Sequence, residues 1–178
     1  MLHYKLIGSG PLIICLHGFL ENHTMWEKIN WGSLGFQALL IDLPGHGKSP
    51  FEPSKRSPNL SYPSEEILGL INNFNIKKYN IIGHSLGGYI ALYLKENDIR
   101  CQKTILLNSN YWTDNTEKKK DRIRIADIVF KSKLLFLKQS IPSLYATPEN
   151  HSLEINALIK NASEYSAESI AYYSLAMR

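Results

Sequence analysis

The chain has 178 residues, 44% of them hydrophobic and 20% charged. That mixture supports a packed core and excludes a disordered chain, and the length suits one domain of roughly 100–200 residues. Lys and Arg number 20 against 16 Asp and Glu, a net charge of +4, and two cysteines are too few for a disulfide framework or a four-cysteine zinc site.

The amino-terminal Met1-Leu2-His3-Tyr4-Lys5 reaches a Gly8-Ser9-Gly10-Pro11 turn before any long apolar run, so it does not read as a signal peptide. No apolar stretch approaches the roughly 18 residues of a membrane-spanning helix. A soluble, cytoplasmic protein with reduced thiols is expected, without stable membrane insertion. The first strand is predicted at Leu12–Leu16, ending at His17-Gly18, and the second at Ala38–Ile41, ending at Asp42-Leu43-Pro44-Gly45-His46-Gly47. Pro50 to Pro63, with four prolines and three serines, reads as a surface loop. A crossover helix follows over 64–74, with Ser64 as its N-cap. A third strand at Tyr79–Ile82 runs into Gly83-His84-Ser85, a second helix spans 86–97, and a fourth strand at Thr104–Leu107 ends at Asn108-Ser109-Asn110. The runs are continuously apolar rather than alternating, which fits strands covered on both faces of a parallel sheet. Strand and helix alternate, so the fold class is α/β, a mostly parallel sheet with flanking helices.

After Tyr111 the pattern becomes helical: 117–138, a break at Ile141-Pro142, then two further stretches from about 152 to 177. Residues 117–138 hold eight basic and three acidic side chains, a net +5, so the basic balance belongs to this segment. As a basic amphipathic helix it offers a solvated charged face, a membrane-surface contact or guidance for an acidic substrate. No recognised nucleic-acid module accompanies the charge, and no nucleic-acid partner is expected.

Gly83-His84-Ser85-Leu86-Gly87 fits Gly-x-Ser-x-Gly, a pattern frequent by chance. It gains weight here from the strand before it and the helix after it, because the chemistry needs a cramped turn that exposes the serine beside free helix N–H groups. The bland alternative is an ordinary strand-to-helix turn. Two further blocks, His17-Gly18-Phe19 with Trp26 and Asp42-Leu43-Pro44-Gly45-His46-Gly47-Lys48-Ser49, stand in order with it. Together the three blocks resemble the α/β-hydrolase superfamily, closely over residues 3 to 110 and loosely thereafter. Within it they are similar to the branch of small esterases, carbon–carbon bond hydrolases and the menaquinone-pathway lyase.

The resemblance implies that Ser85 is the nucleophile of a serine hydrolase acting on an ester or related acyl compound. The backbone N–H groups of Phe19 and Leu86 would form the oxyanion hole, with His17, Gly18, Gly83, His84 and Gly87 supporting the site. Asp42 and His46 would steady the loop after the second strand. The substrate would be a small molecule, with no cofactor and no metal. Residues 1–110 would be the hydrolase core and 111–178 a helical cap, whose Trp112, Phe130, Phe136, Tyr145, Tyr165, Tyr172 and Tyr173 offer apolar surface. The family carries its acid and histidine after later strands that this sequence does not reach, so the chain resembles a truncated hydrolase, inactive or incomplete by itself. His151 and Asp114 are the candidates that remain for base and acid. The fourth strand would then be an exposed apolar edge, open to self-association. The competing reading is a non-catalytic ligand- or partner-binding remnant, and lyase or carbon–carbon bond cleavage at the same site is a third. His3, His23 and His151 read as surface residues, Cys15 and Cys101 as small core residues.

Overall fold

The structure, a computed structural model, describes residues 1–53 and 57–178. Five strands form one sheet: β1 (Tyr4–Gly8), β2 (Leu12–Leu16), β3 (Gln37–Ile41), β4 (Tyr79–His84) and β5 (Cys101–Leu107), in the order β1-β3-β2-β4-β5. β1 runs antiparallel to β3, and all other neighbours are parallel. The four apolar runs are β2 to β5. β1 adds a strand the apolar pattern does not reveal, because Tyr4-Lys5-Leu6-Ile7-Gly8 is only partly buried along its length.

The pleat sends alternate side chains to opposite faces. Ile14, Leu16, Leu39, Ile41 and Ile81 enter one cluster with α1 (Ser61–Asn73) and α2 (Leu86–Asn97), through Ile67, Leu70, Ile71, Leu86, Ile90 and Leu94. Ile13, Cys15, Ala38 and Leu40 face the other way, against Trp26 and Trp31. Each fully buried aliphatic side chain here contributes roughly 1.5–3 kcal/mol of burial energy.

Three expectations need correction. α1 begins at Ser61, so Ser61 to Pro63 are helical rather than loop, and Ser64 lies inside the first turns, its hydroxyl donating to Leu60 O at 2.8 Å. Residues 54–56 of the expected loop lie outside the described residues. β5 is not covered on both faces: it ends the strand order, and Ile105 and Leu107 are 49% and 39% exposed. Nor are His3 and His23 free surface residues, since both bind the buried Asp42.

Beyond β5 the chain is helical: α3 (Thr116–Ser140, with a non-helical break at Ser132), α4 (Ser152–Ser163) and α5 (Ala167–Ala176), with short 3-10 turns between α3 and α4. Val129, Phe136, Leu137, Ile141, Ile155 and Ile170 pack together onto Leu20 of the loop after β2. α5 reaches further, placing Tyr172 and Tyr173 in the cluster beneath the sheet. No helix among the described residues is long and apolar enough to cross a membrane.

Candidate functional site

Ser85 occupies the single residue between β4 and α2, with φ 48° and ψ −112°. A non-glycine residue at positive φ costs on the order of 1–3 kcal/mol and persists only where its surroundings hold it. Those surroundings are explicit: Ser85 N–H donates to Leu107 O at 3.0 Å, and Ser85 O accepts from Gly88 N–H at 2.9 Å and from the Ser109 hydroxyl at 2.8 Å. A Cβ at Gly83 would strike the Gly87 carbonyl, and one at Gly87 would come within 2.5 Å of Leu16 O and 2.7 Å of His17 O. The small residues are therefore required by the proximity of three backbone segments. Among the described residues no hydrogen bond engages the Ser85 hydroxyl, which faces a cavity of about 660 Å³. As the first residue of α2, Leu86 has an N–H that the helix itself does not use.

The loop after β2 is built around His17. Its Nδ1–H donates to Gly18 O at 2.8 Å, and its Nε2 accepts from Leu43 N–H at 2.9 Å. Both nitrogens are committed in one neutral tautomer, and complete burial pushes the imidazole pKa down. His17 thus orients a loop and has no proton to trade. Glu21 closes the same loop: its carboxylate accepts from Gly18 N–H at 2.8 Å and from His84 Nδ1–H at 2.7 Å. Tyr165 OH donates to Glu21 O at 3.0 Å, so the helical region clamps the loop from above. Phe19, Leu20, Glu21, His84 and Ser85 all line the cavity.

His46 is fully buried among the rings of His17, Tyr165 and Tyr173, and burial drives its pKa down to about 3. Asp42 is also fully buried. It accepts from the backbone N–H groups of His23 and Lys48 as well as from His3 and His23, hydrogen bonds that hold its pKa low against the opposing effect of burial. Neither residue lines the cavity.

The two residues considered as base and acid do not meet Ser85. His151 sits in a 3-10 turn (Pro148–His151), its ring 5.3 Å from that of Tyr145, outside the cavity lining. Asp114 is buried and accepts from Arg122 Nε–H at 3.0 Å, so its carboxylate holds a guanidinium rather than an imidazole. Arg122 itself lines the cavity, as do Phe136 and Tyr145. Of the other cap aromatics, Tyr165, Tyr172 and Tyr173 are buried in packing, and Trp112 and Phe130 are exposed. Glu21 and Arg122 were not singled out by sequence: each resembles an ordinary surface charge, and only the fold turns it inward. The one available signal for Glu21 was its place four residues after His17 in the loop that follows β2.

Residues 11–141 match the family model for the alpha/beta hydrolase fold. Among curated relatives, epoxide hydrolase 2 of Siraitia grosvenorii is 32% identical over 94 residues, covering 52% of this chain and 30% of the relative. The 2-succinyl-6-hydroxy-2,4-cyclohexadiene-1-carboxylate synthase of Serratia proteamaculans is 35% identical over 97 residues, 52% of this chain and 37% of that protein. Among solved structures, a thermophilic esterase from Thermogutta terrifontis with malate bound superposes with a TM-score of 0.86 at 25% identity, over 99% of this chain and 66% of that one. The match thus spans about a third of the curated relatives' length and about two thirds of the solved esterase.

Proposed function

The chain belongs to the α/β-hydrolase family, and on that premise we propose that Ser85 is the nucleophile of a serine hydrolase acting on an ester or related acyl compound. The observation that carries the reading is the strained Ser85 turn, its hydroxyl open to a 660 Å³ cavity that Phe19 also lines, beside the helix-start N–H of Leu86. Ser85 Oγ attacks the acyl carbon and the carbonyl electrons move onto oxygen. The N–H groups of Phe19 and Leu86 receive that charge, a pair of donors typically supplying about 3 kcal/mol each. Collapse of the intermediate expels the alcohol, and water releases the acid. The hydroxyl proton must pass to a base. No imidazole among the described residues hydrogen-bonds to Ser85, so the activity is proposed for the protein in which this region stands with a histidine and its acid.

Arg122, fixed by Asp114, supports a substrate with an anionic group, and the relatives named for a succinyl carboxylate product favour the same chemistry in a lyase reading of the site. Hydrolysis of neutral against carboxylate-bearing acyl esters tests both. Turnover that falls at least about a thousandfold in Ser85→Ala supports the nucleophile; turnover unchanged in that variant refutes it. A cytoplasmic location belongs to the proposal, with Cys15 and Cys101 both free thiols. So does self-association along β5, whose half-exposed Ile105 and Leu107 stand at the end of the strand order.

A further inference from the structure

We propose that His3, His23 and Asp42 form a binding site for a divalent transition-metal cation, zinc above all, which pins the amino-terminal strand to the loops at the end of the sheet. The three residues come from separate segments. His3 immediately precedes β1, His23 opens the short 3-10 helix His23–Trp26, and Asp42 immediately follows β3. His3 Nδ1 lies 2.8 Å from Asp42 Oδ2, and His23 Nδ1 lies 2.8 Å from Asp42 Oδ1. One ligand atom from each of the three lies within 4.8 Å of the others. The imidazole rings are 4.9 Å apart and tilted by 58°, so they converge on the carboxylate without stacking on one another.

The site is built before any ion arrives. Asp42 is fully buried, and the N–H groups of His23 and Lys48 hold its carboxylate at 2.8 and 3.0 Å. His3 is fixed through its backbone: its N–H donates to the Ser49 hydroxyl at 2.9 Å, and its carbonyl accepts from Asp42 N–H at 3.0 Å. The Ser49 hydroxyl in turn donates to Asp42 O at 2.6 Å. A carboxylate also waits behind one ligand. His23 Nε2 is 3.5 Å from Glu27 Oε1, the outer partner that metal-bound imidazoles commonly have. The same Glu27 oxygen is anchored by Lys5 Nζ at 2.8 Å, from β1.

The chemistry selects the ion. Two imidazoles with one carboxylate suit zinc and its transition-metal neighbours, whereas calcium and magnesium take oxygen donors. In the ion-free arrangement each imidazole donates Nδ1–H to Asp42. Binding moves that proton to Nε2, which in His23 faces Glu27, and the freed Nδ1 lone pair takes the ion. Tetrahedral zinc places neighbouring donors roughly 3.3 Å apart, so the rings retreat by about half an ångström. The side chains of His3 and His23 are 30% and 12% exposed, giving an entry path and room for water as the fourth ligand. None of the three residues lines the cavity beside Ser85, so the ion acts on the fold rather than on the reaction.

Isothermal titration of the untagged protein with zinc chloride, paired with thermal melts, tests the site. The proposal expects one zinc per chain with a dissociation constant in the micromolar range or below, and a melting temperature that rises with zinc. His3→Gln and His23→Gln each weaken binding at least tenfold, and His151→Gln leaves it unchanged. Cobalt in place of zinc gives the visible absorption of a four-coordinate ion, lost in His3→Gln. His3 precedes the first strand and is partly exposed, so His3→Gln decides the matter even if His23→Gln fails to fold. No binding by the folded protein at about 0.1 mM zinc, or binding equal to wild type in His3→Gln, overturns the proposal.

Discussion

Up to Asn110, the candidate chemistry rests on backbone: a positive-φ serine, helix-start and loop N–H groups, and glycines whose Cβ positions are filled by carbonyls. Beyond it, the helical region contributes side chains, with Arg122, Phe136 and Tyr145 lining the cavity and Tyr165 pressing on the loop after β2. Backbone geometry tolerates few residue types, so the first region dictates its sequence closely. A cavity wall accepts many side chains of suitable volume, so the second region constrains its sequence less closely. On the proposed function, the reaction type would reside in the sheet half and the choice of substrate in the helical half.

The comparison breaks most completely at Gly87. Gly87→Ala forces a methyl into the carbonyls of Leu16 and His17, destabilises the fold by about 1–3 kcal/mol and displaces the Ser85 turn. Chemical denaturation checks the first effect, and loss of probe reactivity in the still-folded fraction checks the second. A variant as stable and reactive as wild type would show that the turn is not backbone-determined.

The seam between the two regions is open to acid. His46 lies against His17 on the sheet side and against Tyr165 and Tyr173 on the helical side. Its folded pKa of about 3 is below the ordinary 6.5, so between those values the unfolded chain binds a proton that the folded chain does not. Stability therefore falls as pH drops from about 6.5 toward 3, by several kcal/mol, and levels off below. Urea unfolding across that range measures the slope, and His46→Gln reduces it, leaving the part contributed by His17, whose pKa burial also lowers.

A smaller effect sharpens the division of labour. Arg122→Gln should raise KM about tenfold for carboxylate-bearing acyl esters and leave neutral esters unchanged, the loss expected of one charge-assisted hydrogen bond. Equal loss for both classes would make Arg122 a structural residue. Least of all for the monomer, Ile105→Lys on the open side of β5 should leave the melting temperature within about a degree while reducing self-association, measured by sedimentation velocity.

The sheet was largely legible because β2 and β3 are buried on both faces and read as unbroken apolar runs, while β4, buried at alternate residues, keeps a mostly apolar run into its turn. β5 has the same composition with one face open, since composition does not reveal which strand ends the sheet. β1 escaped notice because an edge strand needs no apolar alternation when its pairing with β3 supplies the hydrogen bonds. Ser85 and its glycines were legible for the reason given above: few residues fit such a turn. Glu21 and Arg122 were not, because a charge reads as solvent-exposed until the fold turns it toward a cavity. His3 and His23 were misread as surface for the same reason, their partner Asp42 lying 39 and 19 positions away.

The central claim, as proposed, is that the turn holds the hydroxyl at position 85 open to serve as nucleophile once a base is present. Treating the folded protein, in the form in which this region stands with its histidine and acid, with a fluorophosphonate probe and mapping the adduct by peptide mass spectrometry tests it most directly. The account predicts one adduct, on Ser85, absent in Ser85→Ala. A folded protein that takes no label, or takes it on another serine, contradicts it.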